Sequence, residues 1–197
     1  MKGLTVARGL ALEGAKIIPP HAGAAHEARW GDHALIIIRH AIAEAAPGEE
    51  DDAERPLSAE GKKRFRRSVR GLGALGLACD TILHSPLRRA VETAELMHPL
   101  LRGSSEEPAV LETPLLACEP GLELTRSILE LGRECVAAIG HEPWLSMWLA
   151  DLLAPGAMRP ETVEFKKGGV AWLEGSEPGL MQLRAFLPPK VLRLAGA

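Results

Sequence analysis

The sequence predicts an α/β protein with a mostly parallel sheet, and three observations carry that prediction. Ala34-Leu35-Ile36-Ile37-Ile38 is a continuous apolar run with three β-branched members. Short runs without alternation are strands buried on both faces, as in the middle of a parallel sheet. Cys135-Val136-Ala137-Ala138-Ile139 repeats the pattern in the second half, and strand-like and helical stretches alternate over most of the chain between and after them.

At 197 residues and 46% hydrophobic, the chain is long enough to bury its own core as one domain, expected over residues 33–197. A net charge of -3 argues against a nucleic-acid or membrane surface built on bulk charge. Cys79, Cys118 and Cys135 are odd in number and too widely spaced for a zinc site, which reads as reduced thiols in a cytoplasmic protein. No stretch approaches the roughly 18 apolar residues of a membrane helix.

Residues 1–32 read as an extension, poorly ordered or covering an edge. Leu10 to Ile18 is too short, and too interrupted by Glu13 and Lys16, for a signal-peptide core. After the first strand, Glu44 to Glu54 holds Pro47-Gly48 and six acidic residues and reads as a solvated loop. Ser58 is a good cap for a helix in which Phe65, Val69 and Leu72 share one side. The basic residues Lys62 to Arg70 then form its wet face. Arg55 is distinct, because it sits in the loop and is pinned by Pro56.

Asp80 to His84 is the second strand. Ser85-Pro86 reads as cap and first turn of the next helix. A strand end, a helix start and two arginines coincide there, which suits a phosphate-type anion. Arg88 and Arg89 lie about 100° apart on a helix, so only one of them can face it. Ala109 to Glu112 is a weak third strand, and a helix runs from Glu119-Pro120-Gly121 to about Leu131. The buried strand from Cys135 ends in Gly140-His141-Glu142-Pro143, and Trp144 to Leu153 is helical. Gly169 to Glu174 and Met181 to Phe186 form a closing antiparallel pair before a short terminal helix.

Three strand ends thus carry Arg39-His40, Ser85 to Arg89, and Gly140-His141. Cations and imidazoles at one sheet edge repel one another unless an oxyanion lies between them. In order and position, several segments resemble the histidine phosphatase superfamily, and within it the SixA-type phosphohistidine phosphatases. These are Arg39-His40, Arg55-Pro56-Leu57-Ser58-Ala59-Glu60-Gly61, Ser85-Pro86-Leu87-Arg88-Arg89-Ala90-Val91-Glu92-Thr93-Ala94 and Gly140-His141-Glu142-Pro143. The late segments Lys167 to Ala171 and Phe186 to Arg193 look like this branch too. The resemblance covers about residues 34–193 and implies a phosphoglycerate-mutase-like three-layer α/β/α sandwich.

It also implies roles. His40 matches the nucleophile that takes the phosphoryl group on a ring nitrogen, Arg39 and Arg89 match the phosphate-clamping arginines, and His141 matches the second pocket histidine. Arg55 matches an arginine near the phosphate, with Ser85 opening the helix beside it. No metal or cofactor is implied. An imidazole with a pKa of roughly 6.5 is largely neutral at pH 7, so it attacks phosphorus without a separate base.

Two departures stand out. Ala41 replaces the glycine usual in the first motif. No clear counterpart exists for the carboxylate that protonates an alkoxide leaving group, although Glu142 occupies the position acid phosphatases use. A general acid is worth about 10² to 10⁴ in rate. Its absence harms alcohol phosphates far more than phosphoramidates, whose nitrogen departs easily. The expected substrate is therefore a phosphohistidine-bearing protein, such as a phosphotransfer domain in signal transduction. A small-molecule phosphomonoesterase and a non-catalytic phosphate-binding module are the alternatives.

Overall fold

The computed structural model describes residues 33–45, 52–102, 109–175 and 177–197. The extension expected over residues 1–32 and most of the acidic loop lie outside them. Six strands form one sheet: β1 (Ala34–Arg39), β2 (Thr81–His84), β3 (Ala109–Glu112), β4 (Cys135–Gly140), β5 (Val170–Glu174) and β6 (Gln182–Leu187), in the order β3-β2-β4-β1-β5-β6. β1, β2, β3 and β4 run parallel, while β5 pairs antiparallel with both β1 and β6. The helices are α1 (Ala59–Ala74), α2 (Arg88–Met97), α3 (Leu122–Glu130), α4 (Trp144–Leu153) and α5 (Pro189–Ala195).

The uninterrupted apolar runs are explained by what covers them. Ile36 and Ile38 of β1, with Ile82, Ala137 and Ile139, pack under Phe65, Val69 and Leu72 of α1, Ala90, Ala94 and Met97 of α2, and Leu192 of α5. The alternate residues Leu35, Ile37, Leu83, Val136 and Ala138 pack under Leu124 and Ile128 of α3 and Leu145, Trp148, Leu149 and Leu152 of α4. Both faces are therefore dry, and the class is the expected three-layer α/β/α arrangement. The Trp148 indole N–H, fully inside, donates to Thr125 Oγ1 at 2.9 Å, which avoids an unmet buried donor.

Two close backbone approaches set how the first helix lies. Ser58 caps α1 as expected, accepting from Gly61 N at 3.0 Å. A Cβ on Gly61 would fall 2.0 Å from the Ile42 carbonyl oxygen, so only glycine lets the loop after β1 lie on the first turn. At the other end, a Cβ on Gly71 would meet the Leu192 carbonyl at 2.0 Å, where α5 crosses α1.

Parallel register brings the strand ends level. Arg39 lies opposite Gly140, and Ile139 lies opposite both Ile38 and His84. Val170, the first residue of β5, lies opposite Ile38. His40, His141, Ser85 and the segment entering β5 are thereby delivered to one edge of the sheet. Among the described residues, no helix is long and apolar enough to cross a membrane.

Candidate active site

His40 is buried just beyond β1, and its Nδ1 lies 2.7 Å from the Ala41 carbonyl oxygen. A carbonyl only accepts, so Nδ1 carries the ring hydrogen and Nε2 keeps its lone pair. Thr93 steadies this turn: its Oγ1 accepts from Ala41 N at 3.1 Å and donates to the Arg89 carbonyl at 2.6 Å. The His141 ring stands 5.0 Å from that of His40, centroid to centroid, tilted by 46°. His141 Nε2 is 2.7 Å from Ser85 Oγ, which also accepts from Leu87 N at 3.1 Å. The hydroxyl proton is then free to go to Nε2, leaving Nδ1 of His141 as the N–H.

Three guanidiniums are tied to the protein by their terminal nitrogens. Arg39 donates from Nη1 to the Phe165 carbonyl at 2.5 Å, and Arg55 donates from Nη1 to the Glu44 carbonyl at 3.3 Å and from Nη2 to Asp52 Oδ1 at 2.8 Å. Arg89 donates from Nη1 to the Asp52 carbonyl at 2.7 Å and from Nη2 to Asp52 Oδ2 at 3.0 Å. The Nε of each of these arginines, and Nδ1 of His141, are buried without a protein partner. Buried donors left unmet cost about 1–3 kcal/mol each, and the charges of Arg39 and Arg89 act on both imidazoles while that of Arg55 acts on His141.

Electrostatics keep both imidazoles neutral. Burial pushes His40 down to about 3, reinforced by the neighbouring His141 and by the Arg89 and Arg39 charges, against the pull of the Ala41 hydrogen bond. Burial and the Arg89 guanidinium push His141 down to about 4, with Asp52 opposing. Lys167 sits exposed in the turn before β5, where Gly168 N bonds to the Arg39 and His40 carbonyls at 3.0 and 3.1 Å. Partial burial and then Arg39, Arg55 and Arg89 hold its ammonium below the usual lysine range, which places it at the rim.

Of the residues singled out in the sequence, His40, Arg39, Arg89, His141, Arg55 and Ser85 are brought together. Arg88 turns outward onto Glu92 at 3.1 Å, as adjacent helical positions require. Ser85 does not cap the helix as the sequence suggested. α2 begins at Arg88 with Leu87 at its cap position, and Ser85 instead turns its hydroxyl to His141. The α2 start is also less open to an anion than expected, because Leu87 N is taken by Ser85 Oγ and Arg88 N by the Ala53 carbonyl at 3.0 Å.

Glu142 is engaged elsewhere. Its carboxylate accepts from Ser146 N at 3.2 Å, Ser146 Oγ at 2.6 Å and Phe165 N at 2.8 Å. It thereby fixes the segment whose Phe165 carbonyl receives Arg39. Sequence reasoning missed Asp52, Thr93 and the Phe165 carbonyl. Asp52 stands three residues before Arg55, the only hint that separated it from the other acids of its run.

A sequence model of the histidine phosphatase superfamily (branch 1) matches residues 35–115. An uncharacterized protein of Picosynechococcus sp. is 32% identical over 143 residues, which are 71% of this chain and 83% of that one. Among solved structures, the protein histidine phosphatase SixA complexed with tungstate superposes with a TM-score of 0.66 at 24% identity, over 81% of this chain and 99% of that one. The α-ribazole phosphatase of Shigella flexneri gives 0.58 at 17% identity, over 79% and 96%. A phosphoserine phosphatase of Entamoeba histolytica with bound phosphoserine gives 0.58 at 14%, over 81% and 99%.

Proposed function

The chain belongs to the histidine phosphatase superfamily, and from that membership we propose a phosphohydrolase that works through a phosphohistidine formed on its own His40. The observation that carries this reading is the set of four unpartnered buried donors, Nε of Arg39, Arg55 and Arg89 and Nδ1 of His141, beside a pair of neutral imidazoles. Phosphoryl oxygens accept from Nε–H of Arg39, Arg55 and Arg89 and from Nδ1–H of His141. The free lone pair on His40 Nε2 attacks phosphorus as the leaving group departs in line. Water then attacks the N-phosphoryl group, releasing inorganic phosphate and returning the neutral ring. Positioning and charge stabilisation carry most of the acceleration, as they do for phosphoryl transfer in general.

The preferred substrate is a protein phosphohistidine. The support is the state of two carboxylates beside the site: Glu142 already accepts from three donors and Asp52 is shared by two arginines. Neither is placed to hand a proton to an alkoxide, whereas the nitrogen of a phosphoramidate leaves without that help. Arg39, Arg55 and Arg89 serve as the oxyanion clamp, Ser85 fixes the tautomer of His141, and the reaction runs without a metal.

The test pairs a histidine-phosphorylated phosphotransfer protein with a panel of sugar and aryl phosphates at matched concentrations, with and without chelator. Fast, chelator-insensitive release from phosphohistidine with slow release from sugars is the expected result. The reverse ranking would overturn the substrate assignment, and loss of activity with chelator would overturn metal independence.

A further inference from the structure

The acidic loop before Arg55 reads in sequence as a solvated stretch, yet one of its carboxylates is built into the site. Asp52 takes both terminal nitrogens of Arg89, one on its carbonyl at 2.7 Å and one on Oδ2 at 3.0 Å, while Oδ1 takes Arg55 at 2.8 Å. The turn around it is fastened to the start of α2: Ala53 O accepts from Arg88 N at 3.0 Å and Glu54 O from Arg88 Nη1 at 3.4 Å. The Arg89 side chain is 7% exposed and that of Arg55 18%, whereas Asp52 remains 44% exposed. The carboxylate therefore grips one buried and one half-buried guanidinium from the solvent side. It holds them by their forked ends, and the unpartnered Nε edges stay free.

We propose that Asp52 is a positioning residue of the phosphatase site, a bracket that orients Arg55 and Arg89 for the transition state and at the same time weakens the hold on product phosphate. This rests on the proposed hydrolase reading. The first effect follows from geometry. A guanidinium fixed at both terminal nitrogens presents its Nε–H in one direction, and positional error of about 1 Å in such donors costs on the order of 10²-fold in rate. The second follows from charge. A carboxylate beside two guanidiniums lowers the positive potential that a bound phosphate feels, and the opposition of Asp52 to the Arg89 effect on His141 shows that its field reaches the pocket. A ground-state anion can draw freed arginines to itself, but a transition state that forms once per turnover needs them already placed.

The two effects predict an unusual split. In Asp52→Asn, kcat on an aryl phosphate falls by about 10- to 100-fold, inorganic phosphate binds a few-fold more tightly by calorimetry, and the melting temperature is unchanged. Asp52→Glu, which keeps the charge, recovers part of kcat and returns phosphate affinity toward that of the natural chain. Asp52→Ala repeats the tighter phosphate binding with a larger loss of kcat.

Phosphate affinity and kcat falling together with the melting temperature would overturn the proposal in favour of a fold-holding residue. Unchanged values of both would reduce Asp52 to an exposed loop acid. If the natural chain binds phosphate but turns over none of the substrates, the hydrolase reading fails and so does the transition-state half of the proposal. The calorimetric comparison still decides the charge half, because equal or weaker phosphate binding by Asp52→Asn would overturn it.

Discussion

The two ends of the same parallel strands bury ionisable groups with opposite chemical consequences. At the beginning of the strands, Cys79 is pushed up to about 12, and Cys135 well above its ordinary range, chiefly by burial. At the far end, burial drives His40 down to about 3 and His141 to about 4. Desolvation disfavours whichever form is charged. For a thiol the neutral form is inert, since the thiolate is the nucleophile. For an imidazole the neutral form is the nucleophile. One physical effect therefore silences one edge of the sheet and arms the other.

Hydrogen bonding separates the ends further. At the beginning, Asp80 Oδ2 accepts from Cys135 N at 3.0 Å while Asp80 N donates to the Cys135 carbonyl at 3.0 Å, a reciprocal pair that closes the strand edge. Asp80 Oδ1 and the Thr81 hydroxyl are unpartnered there. At the far end the unpartnered groups are all donors, three from guanidiniums and one from His141.

Breaking the armed end at its centre has the largest expected effect. His40→Ala should cost at least about 10³-fold in kcat, as loss of a nucleophile does elsewhere, while the arginine clamp still binds inorganic phosphate by calorimetry. Next comes the clamp: Arg89→Ala, which removes a charge-assisted donor, should lower kcat by about 10²- to 10³-fold in steady-state assays. It should also weaken phosphate binding, the opposite of what Asp52→Asn does.

The contrast also has a pH signature. With His40 at about 3, kcat/KM corrected for ionisation of the substrate should stay level from pH 8 down to about 5 and fall only as the pH approaches the values of the two imidazoles. An ordinary histidine nucleophile would lose activity near pH 6.5. Both rings hold fewer protons folded than unfolded, so acid favours the unfolded chain below roughly 6.5. Stability should therefore decline as the pH drops from there toward 3, and His40→Ala should shallow that decline in chemical denaturation. The smallest effect belongs to the silent end: a mild alkylating reagent should label exposed Cys118 in the folded protein, and Cys79 and Cys135 only after unfolding.

How legible these two ends were in the sequence differs. β1 and β4 could be read because a strand covered on both faces needs no alternation, and Arg39, His40 and His141 stood out because charged or imidazole groups directly after such strands are conspicuous. The spacing that separates Arg88 from Arg89 follows from helix geometry alone. The support around them was not readable. Ser85 looked like a helix cap, since a hydroxyl before proline has the same local pattern whether it caps or reaches a histidine on another strand. Glu142 sits beside His141 in sequence, yet its carboxylate is spent on Ser146 and Phe165, contacts set by how the chain returns toward β5. Asp52 was one acid among six, and only the fastening of its turn onto Arg88 and Arg89 at the start of α2 distinguishes it.

The central claim is that a neutral His40, held among cationic donors, carries the phosphoryl group covalently. Its most direct test is a rapid-quench experiment with histidine-phosphorylated phosphotransfer protein carrying radiolabelled phosphate, stopped in alkali and mapped by peptide. The account predicts a burst of acid-labile, alkali-stable label on the peptide containing His40, decaying as inorganic phosphate appears and absent from His40→Ala. Turnover without transient label on that peptide, or label on another residue, would contradict it.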